Sequence, residues 1–306
     1  MEQTYESEVY RSKEGRHILH NLYRKLLTEL DVPLAERMVQ TRFGDTHVML
    51  YGHPEGRPVL VFYGGYTLNP LAVRPFVRGL DLNRIRLIVP DPVGQIGFSA
   101  ENRLSCSKGA YGEWACQVMD ALGLPVAPVL GYSFGAGVAL QLCETSVLRI
   151  ERLLLVMPSG LAGASTSEAS RFMRRAQRKS APTEEEVQKA LQPVWPFPQE
   201  EVEVTNAVRM ILLHAKQEKQ TLGRFSRKSL RKLNAPVCVI AEKSDLLFPG
   251  EAVIRRAQKI IPYLKDSRLL STGGGHGCLF APEAAEKTDG CFGLMSDFIL
   301  HVNGEE

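Results

Sequence analysis

A chain of 306 residues with 44% hydrophobic and 23% charged residues carries enough apolar material to bury a substantial core, as one large α/β domain or two small ones. A net charge of +3 is too mild for a nucleic-acid surface, and no nucleic-acid-binding module stands out. The polar, acidic start MEQTYESEVYRSKEG differs from a secretory signal, and no apolar run approaches the roughly eighteen residues of a membrane span, so a cytoplasmic protein without a membrane partner is expected.

In chain order, residues 14–30 (EGRHILHNLYRKLLTEL) place Ile18, Leu19, Leu22, Leu26, Leu27 and Leu30 on one stripe, a helix closed by Val32-Pro33. Residues 36–43 and 46–51 read as strands joined by a turn at Gly44-Asp45. An apolar strand at Val59–Phe62 runs into a glycine pair, and a helix near 71–80 and the strand IRLIVPD (85–91) follow. Beyond the loop PVGQIGFS comes a helix across 108–122. Asp91 is expected to shape its turn through side-chain to backbone bonds. Further strands lie in ERLLLVMPSG, APVCVIAEKSD and SRLLSTGGGHG, with helices between them. Such alternation predicts βαβ units and a mostly parallel sheet covered on both faces. Residues 161–233 break the rhythm: they are helical and charged, and read as a cap inserted into a core of 1–160 and 234–306. Within the cap, RFMRRAQRKS reads as a solvated basic face. Six cysteines without C-x-x-C spacing indicate neither a disulfide framework nor a zinc site.

The stretch VLGYSFGAGVAL (129–140) is the most informative. Gly-x-Ser-x-Gly alone is common, but here a buried strand precedes it and a small-residue helix follows, the order a nucleophile elbow needs. Gly131 and Gly135 leave room where strand and helix crowd around Ser133. A serine hydroxyl is a poor nucleophile at neutral pH and needs a base, which needs an orienting acid. Of seven histidines, His17 and His20 fall on the first helix, His47 in a strand, His53 in a turn, His214 in the cap and His301 near the end. His276, in TGGGHGC, follows a strand in an open glycine loop, and strand carboxyl ends are where parallel sheets build sites. For the acid, VCVIAEKSDLLFPG offers Asp245, favoured because it lies beyond the strand, with Glu242 as the alternative; whichever is not the acid reads as a solvated charge.

Together GYSFG, FYGGYT, DPVGQIGFS, APVCVIAEKSDLLFPG and GGGHG resemble the α/β-hydrolase superfamily from about Val59 onward, and SKEGRHILHNLYRKLLTELDVPLAERMVQTRFGDTHVMLYG resembles the N-terminal helix and hairpin of bacterial carboxylesterase-like members. The resemblance implies an α/β-hydrolase fold, a Ser133–Asp245–His276 triad, and an oxyanion hole formed by the amides of Gly65 and Phe134. Two positions depart from the pattern. Tyr63 precedes Gly64 where His-Gly is common, and AEKSD stands where Gly-x-x-Asp is frequent; counting back from Phe248-Pro249 selects Asp245. Tyr63 and Tyr66 are candidates for the substrate pocket, as are Trp195 and Phe197, which read first as cap core.

The expected function is cleavage of carboxylic esters with small or medium acyl groups, with no metal and no organic cofactor, by a monomer or homodimer. The rivals are a C–C hydrolase, a lyase or a perhydrolase on the same triad, or a non-catalytic ligand-binding protein on the same fold.

Overall fold

The computed structural model describes residues 5–63, 65, 67–107, 109–163, 182–195, 202–216, 222–280 and 290–301. Strands β1 (Leu34–Thr41), β2 (Gly44–Tyr51), β3 (Arg57–Phe62), β4 (Ile85–Pro90), β5 (Ala127–Tyr132), β6 (Ile150–Val156), β7 (Val237–Glu242) and β8 (Leu264–Leu270) form one sheet in the order β1-β2-β4-β3-β5-β6-β7-β8. β1 and β2 are antiparallel, as are β2 and β4, and every other pairing is parallel. The described helices are α1 (Lys13–Thr28), α2 (Asn69–Gly79), α3 (Ala110–Ala121), α4 (Phe134–Ser146), α5 (Glu184–Leu191), α6 (Val202–His214), α7 (Gly250–Ile260) and α8 (Cys291–Leu300).

Strand side chains alternate between the two faces, and both faces are covered. Val59 and Val61 of β3 join Leu130 of β5 and Ile240 of β7 in a core closed by α1, α2 and α8. Leu60 and Phe62 join Val129 and Val239 on the other face, under α3, α4 and α7. The fully apolar runs in the sequence are thus strands buried on both sides. Among the described residues no helix is long and apolar enough to cross a membrane.

The hairpin departs from expectation by two residues. Thr41 pairs with Gly44, so the turn is Arg42-Phe43, and Gly44 opens β2. Gly44 holds a φ of 107°, which suits glycine, and a Cβ there would press against Ala100.

The N-terminal segment reaches across to the helices that follow β6. Tyr10 bridges Ala215 in antiparallel fashion, flanked by Arg11 N–H to the His214 carbonyl at 2.9 Å and Lys216 N–H to the Val9 carbonyl at 2.7 Å. The Lys216 Nζ donates to the Ser7 carbonyl at 2.6 Å, and Arg74 of α2 pairs with Glu203 of α6 at 2.5 Å. Helix α6, which lies between β6 and β7, is therefore fastened to the sheet-bearing part at several points.

Candidate active site

Ser133 stands between β5 and α4 with φ 53° and ψ −119°, a strained conformation for a residue with a side chain. Its N–H donates to the Val156 carbonyl at 3.0 Å, and its carbonyl accepts from Ala136 and Ser159, which fixes the turn from both ends. The neighbouring glycines are sterically required. A Cβ at Gly131 would lie 2.5 Å from the Ala136 Cα, and one at Gly135 would overlap the Phe62 carbonyl.

His276 lies in a 3₁₀ turn (Gly275–Phe280) beyond β8, and Asp245 lies in the loop beyond β7. The fold brings all three side chains together. His276 Nε2 is 3.0 Å from Ser133 Oγ, and His276 Nδ1 is 2.8 Å from Asp245 Oδ2. A carboxylate can only accept, so Nδ1 carries the proton and Nε2 presents a lone pair to the serine hydroxyl. The other Asp245 oxygen, Oδ1, accepts from the amides of Leu247 at 2.7 Å and Phe248 at 3.1 Å, which locks the carboxylate in its fully buried position.

The imidazole is also held from its faces. The Tyr132 ring stacks on it with centroids 5.8 Å apart and planes at 16°, and the Tyr132 hydroxyl donates to the His276 carbonyl at 3.3 Å. Phe248 meets it edge-on at 5.5 Å. Burial drives the Tyr132 hydroxyl's pKa well above the usual phenol value, so it stays a donor. Neither ring was singled out by sequence reasoning, although Tyr132 is the variable residue inside GYSFG itself.

Gly65 and Phe134 lie side by side; a Cβ on Gly65 would stand 3.5 Å from that of Phe134. Phe134 opens α4, where main-chain N–H groups have no partner within the helix, and Gly65 takes a φ of 83°. Their position beside Ser133 suits a pair of amides directed at charge developing on a carbonyl oxygen.

The pocket candidates fare differently. Tyr63 turns its fully buried side chain inward, donating its hydroxyl to Asp91 Oδ1 at 2.6 Å, so it belongs to the core and not to a pocket wall. Asp91 does more than shape its turn. Its buried carboxylate accepts from Tyr63, Tyr23 at 3.0 Å and Asn69 at 2.9 Å on Oδ1, and from the Phe98 amide at 3.0 Å and His47 Nδ1 at 2.9 Å on Oδ2. His47 Nε2 continues the chain to Glu36 at 2.8 Å, and Glu36 pairs with Arg24. Burial alone would lower the His47 pKa, but the hydrogen bonds and charges of Asp91 and Glu36 outweigh it and hold the pKa above the ordinary histidine value. Trp195 is buried against Gly277, where a Cβ would meet the indole at 2.6 Å, and it packs on Phe280. Tyr66, Phe197 and the basic stretch RFMRRAQRKS lie outside the described residues.

Glu242, expected to be a solvated charge if not the acid, is fully buried. No hydrogen bond joins its side chain to His276, which takes Asp245 as its carboxylate partner. All six cysteines are free, and burial raises the Cys278 thiol, next but one to His276, well above its usual value.

The sheet order, with a strained serine after β5, an acid after β7 and a histidine after β8, defines an α/β-hydrolase fold. Within that fold the chain resembles bacterial carboxylesterases. No family model matches it. The crystal structure of carboxylesterase CesB (YbfK) from Bacillus subtilis superposes with a TM-score of 0.76, covering 94% of this chain and 99% of that one at 16% identity. The naproxen esterase (carboxylesterase NP) of Bacillus subtilis gives a TM-score of 0.78, covering 92% and 99% at 16% identity. By sequence, the chain is 26% identical over 121 residues to carboxylesterase YbfK of Bacillus subtilis, and 30% identical over 116 residues to a 2-hydroxymuconate semialdehyde hydrolase of Pseudomonas putida. Each of these two alignments spans 40% of the curated relative's length.

Proposed function

We propose that the protein is a serine hydrolase of carboxylic esters with small or medium acyl groups. One observation carries this reading: Ser133 Oγ lies 3.0 Å from His276 Nε2, while Nδ1 of the same ring lies 2.8 Å from a buried carboxylate. A base within hydrogen-bond reach of a hydroxyl, itself oriented by a third group, is the arrangement that nucleophilic catalysis requires. In the first half-reaction Ser133 Oγ bonds to the ester carbonyl carbon as its proton passes to His276 Nε2. The carbonyl oxygen becomes an oxyanion held by the amides of Gly65 and Phe134. The tetrahedral centre then expels the alcohol, which takes the proton from His276, and leaves an acyl-Ser133 ester. In the second half His276 draws a proton from water, the hydroxyl adds to the acyl carbon, and Ser133 leaves with the proton returned. Asp245 stabilises the imidazolium formed in each half. The described helices α5 and α6 act as part of a cap that roofs the acyl group and keeps out bulk water, with Trp195, packed against the His276 loop, beside it.

The test is a panel of p-nitrophenyl esters from acetate to decanoate, run with a fluorophosphonate probe on wild type and Ser133→Ala. Turnover and covalent labelling are expected in wild type and absent in the variant. Labelling that survives the substitution rules out Ser133 as nucleophile. The likeness to a 2-hydroxymuconate semialdehyde hydrolase favours one second reading, C–C bond cleavage on the same three residues. 2-Hydroxymuconate semialdehyde in the same panel separates the two, since the second reading requires it to be cleaved faster than any ester.

A further inference from the structure

Glu242 ends β7 and stands in register with Leu270, which ends β8. The loop carrying Asp245 leaves from the first strand, and the loop carrying His276 leaves from the second. The catalytic hydrogen bond therefore spans two separate loops, and something must fix their separation.

The Glu242 side chain lies at that point. Its Oε1 accepts from the Ser244 amide at 3.2 Å and the Ser244 hydroxyl at 2.8 Å. Its Oε2 accepts from the Thr272 amide and the Thr272 hydroxyl, both at 3.1 Å. Each hydroxyl then passes the link onward. Ser244 Oγ accepts from the Gly275 amide at 3.1 Å, and Thr272 Oγ1 accepts from the Gly274 amide at 3.0 Å. One oxygen thus holds the acid's loop, the other holds the base's loop, and Ser244 ties residue 244 directly to the neighbour of His276.

An ionised carboxylate has about four acceptor sites, and here each oxygen receives two donors. Hydrogen bonds to a charged acceptor are roughly twice as strong as neutral ones. A carboxylate buried to this depth persists only with such compensation. Residues 273 to 275 are glycines with no side chains to pack, so this stretch between Thr272 and His276 is held through main-chain contacts such as the Gly274 and Gly275 amides. No hydrogen bond joins Glu242's side chain to Asp245's carboxylate or to the imidazole.

We infer that Glu242 is a positioning residue, whose carboxylate clamps the Asp245 and His276 loops together so that the 2.8 Å bond between them is preformed. The inference deepens the esterase reading and rests on it for its effect on rate.

The experiment compares wild type with Glu242→Gln, Ser244→Ala and Thr272→Val. It measures kcat and KM on a short p-nitrophenyl ester, the rate of fluorophosphonate labelling, the melting temperature, and the far-downfield NMR signal of the His276 Nδ1 proton, assigned by its loss in His276→Ala. In Glu242→Gln the amide NH₂ must face a backbone N–H on one side or the other, because hydroxyls can turn to accept but amides cannot. Labelling and kcat are expected to fall by about 10²-fold with KM little changed, since a shift of about 1 Å in a catalytic group costs that much. The Nδ1 signal should broaden or move. Ser244→Ala and Thr272→Val keep the Glu242 charge and sever one link each, so a smaller loss in the same direction separates positioning from electrostatics. Unchanged labelling and an unchanged Nδ1 signal in Glu242→Gln overturn the inference. Should that variant not fold, wild-type behaviour in both other variants overturns it equally. A wild type that neither turns over esters nor reacts with the probe sinks the esterase reading instead, and the Nδ1 signal still reports on the clamp.

Discussion

Replacing Asp245 by Asn exchanges one carboxylate oxygen for an NH₂, and the surroundings dictate which one. Oδ1 accepts from two main-chain amides, Leu247 and Phe248, that have no freedom to reverse. The new carbonyl oxygen must stay there, because turning the group round would set NH₂ against two N–H groups. Each unsatisfied donor costs roughly 1–3 kcal/mol, so the flip is disfavoured by about 2–6 kcal/mol. The NH₂ therefore faces His276 Nδ1 and donates to it, which moves the imidazole proton to Nε2, opposite Ser133 Oγ. The base then offers a proton where it should offer a lone pair. A wrong tautomer in such a triad costs about 10⁴ in kcat, or about 5.4 kcal/mol at 1.36 kcal/mol per factor of ten. The assay is steady-state hydrolysis of a p-nitrophenyl ester, with melting curves to show that the loop is intact. Turnover within tenfold of wild type at an equal melting temperature refutes the argument.

Gly135→Ala is expected to destabilise the fold by about 3 kcal/mol or more, because its methyl would overlap the Phe62 carbonyl, a rigid strand atom; a urea midpoint close to wild type contradicts the packing described. The His47 contribution to stability has a definite sign with pH. Its pKa is raised in the folded state, so the stabilisation is complete below the unfolded value of about 6.5 and is lost as pH rises through the folded value. The melting-temperature advantage of wild type over His47→Gln should be larger at pH 6 than at pH 9, and a gap that widens toward pH 9 counts against a charged His47.

Local chemistry made the strained serine turn legible: Gly131 and Gly135 are required by clashes with residues 5 or fewer positions away or with an adjacent strand, and the strand, turn and helix around Ser133 are continuous in sequence. The positions of His276 and Asp245 followed from the rule that sites gather at strand carboxyl ends, and counting back from Phe248-Pro249 gave the carboxylate that meets the imidazole. What sequence could not supply was the register between distant strands. Glu242 becomes a clamp only because it falls opposite Leu270, a pairing across a helix and two loops. Tyr63 likewise was placed beside a pocket because of its neighbours in the chain, whereas its partner Asp91 comes from the adjacent strand end. The stacking of Tyr132 on His276 brings together residues 144 positions apart along the chain, and no periodicity announces it.

The bridge between Tyr10 and Ala215 has a consequence for how the molecule is made. Arg11 and Ala215 are 204 positions apart, so residues 7–11 are synthesised long before the segment they pair with. Until the helix ending at His214 has been synthesised, residues 7–11 present an unsatisfied backbone edge, and closing so long a loop is entropically slow. A nascent or truncated chain that stops short of residue 216 would carry this open edge together with the apolar surface it should shield, which makes such fragments candidates for chaperone capture or edge-to-edge aggregation.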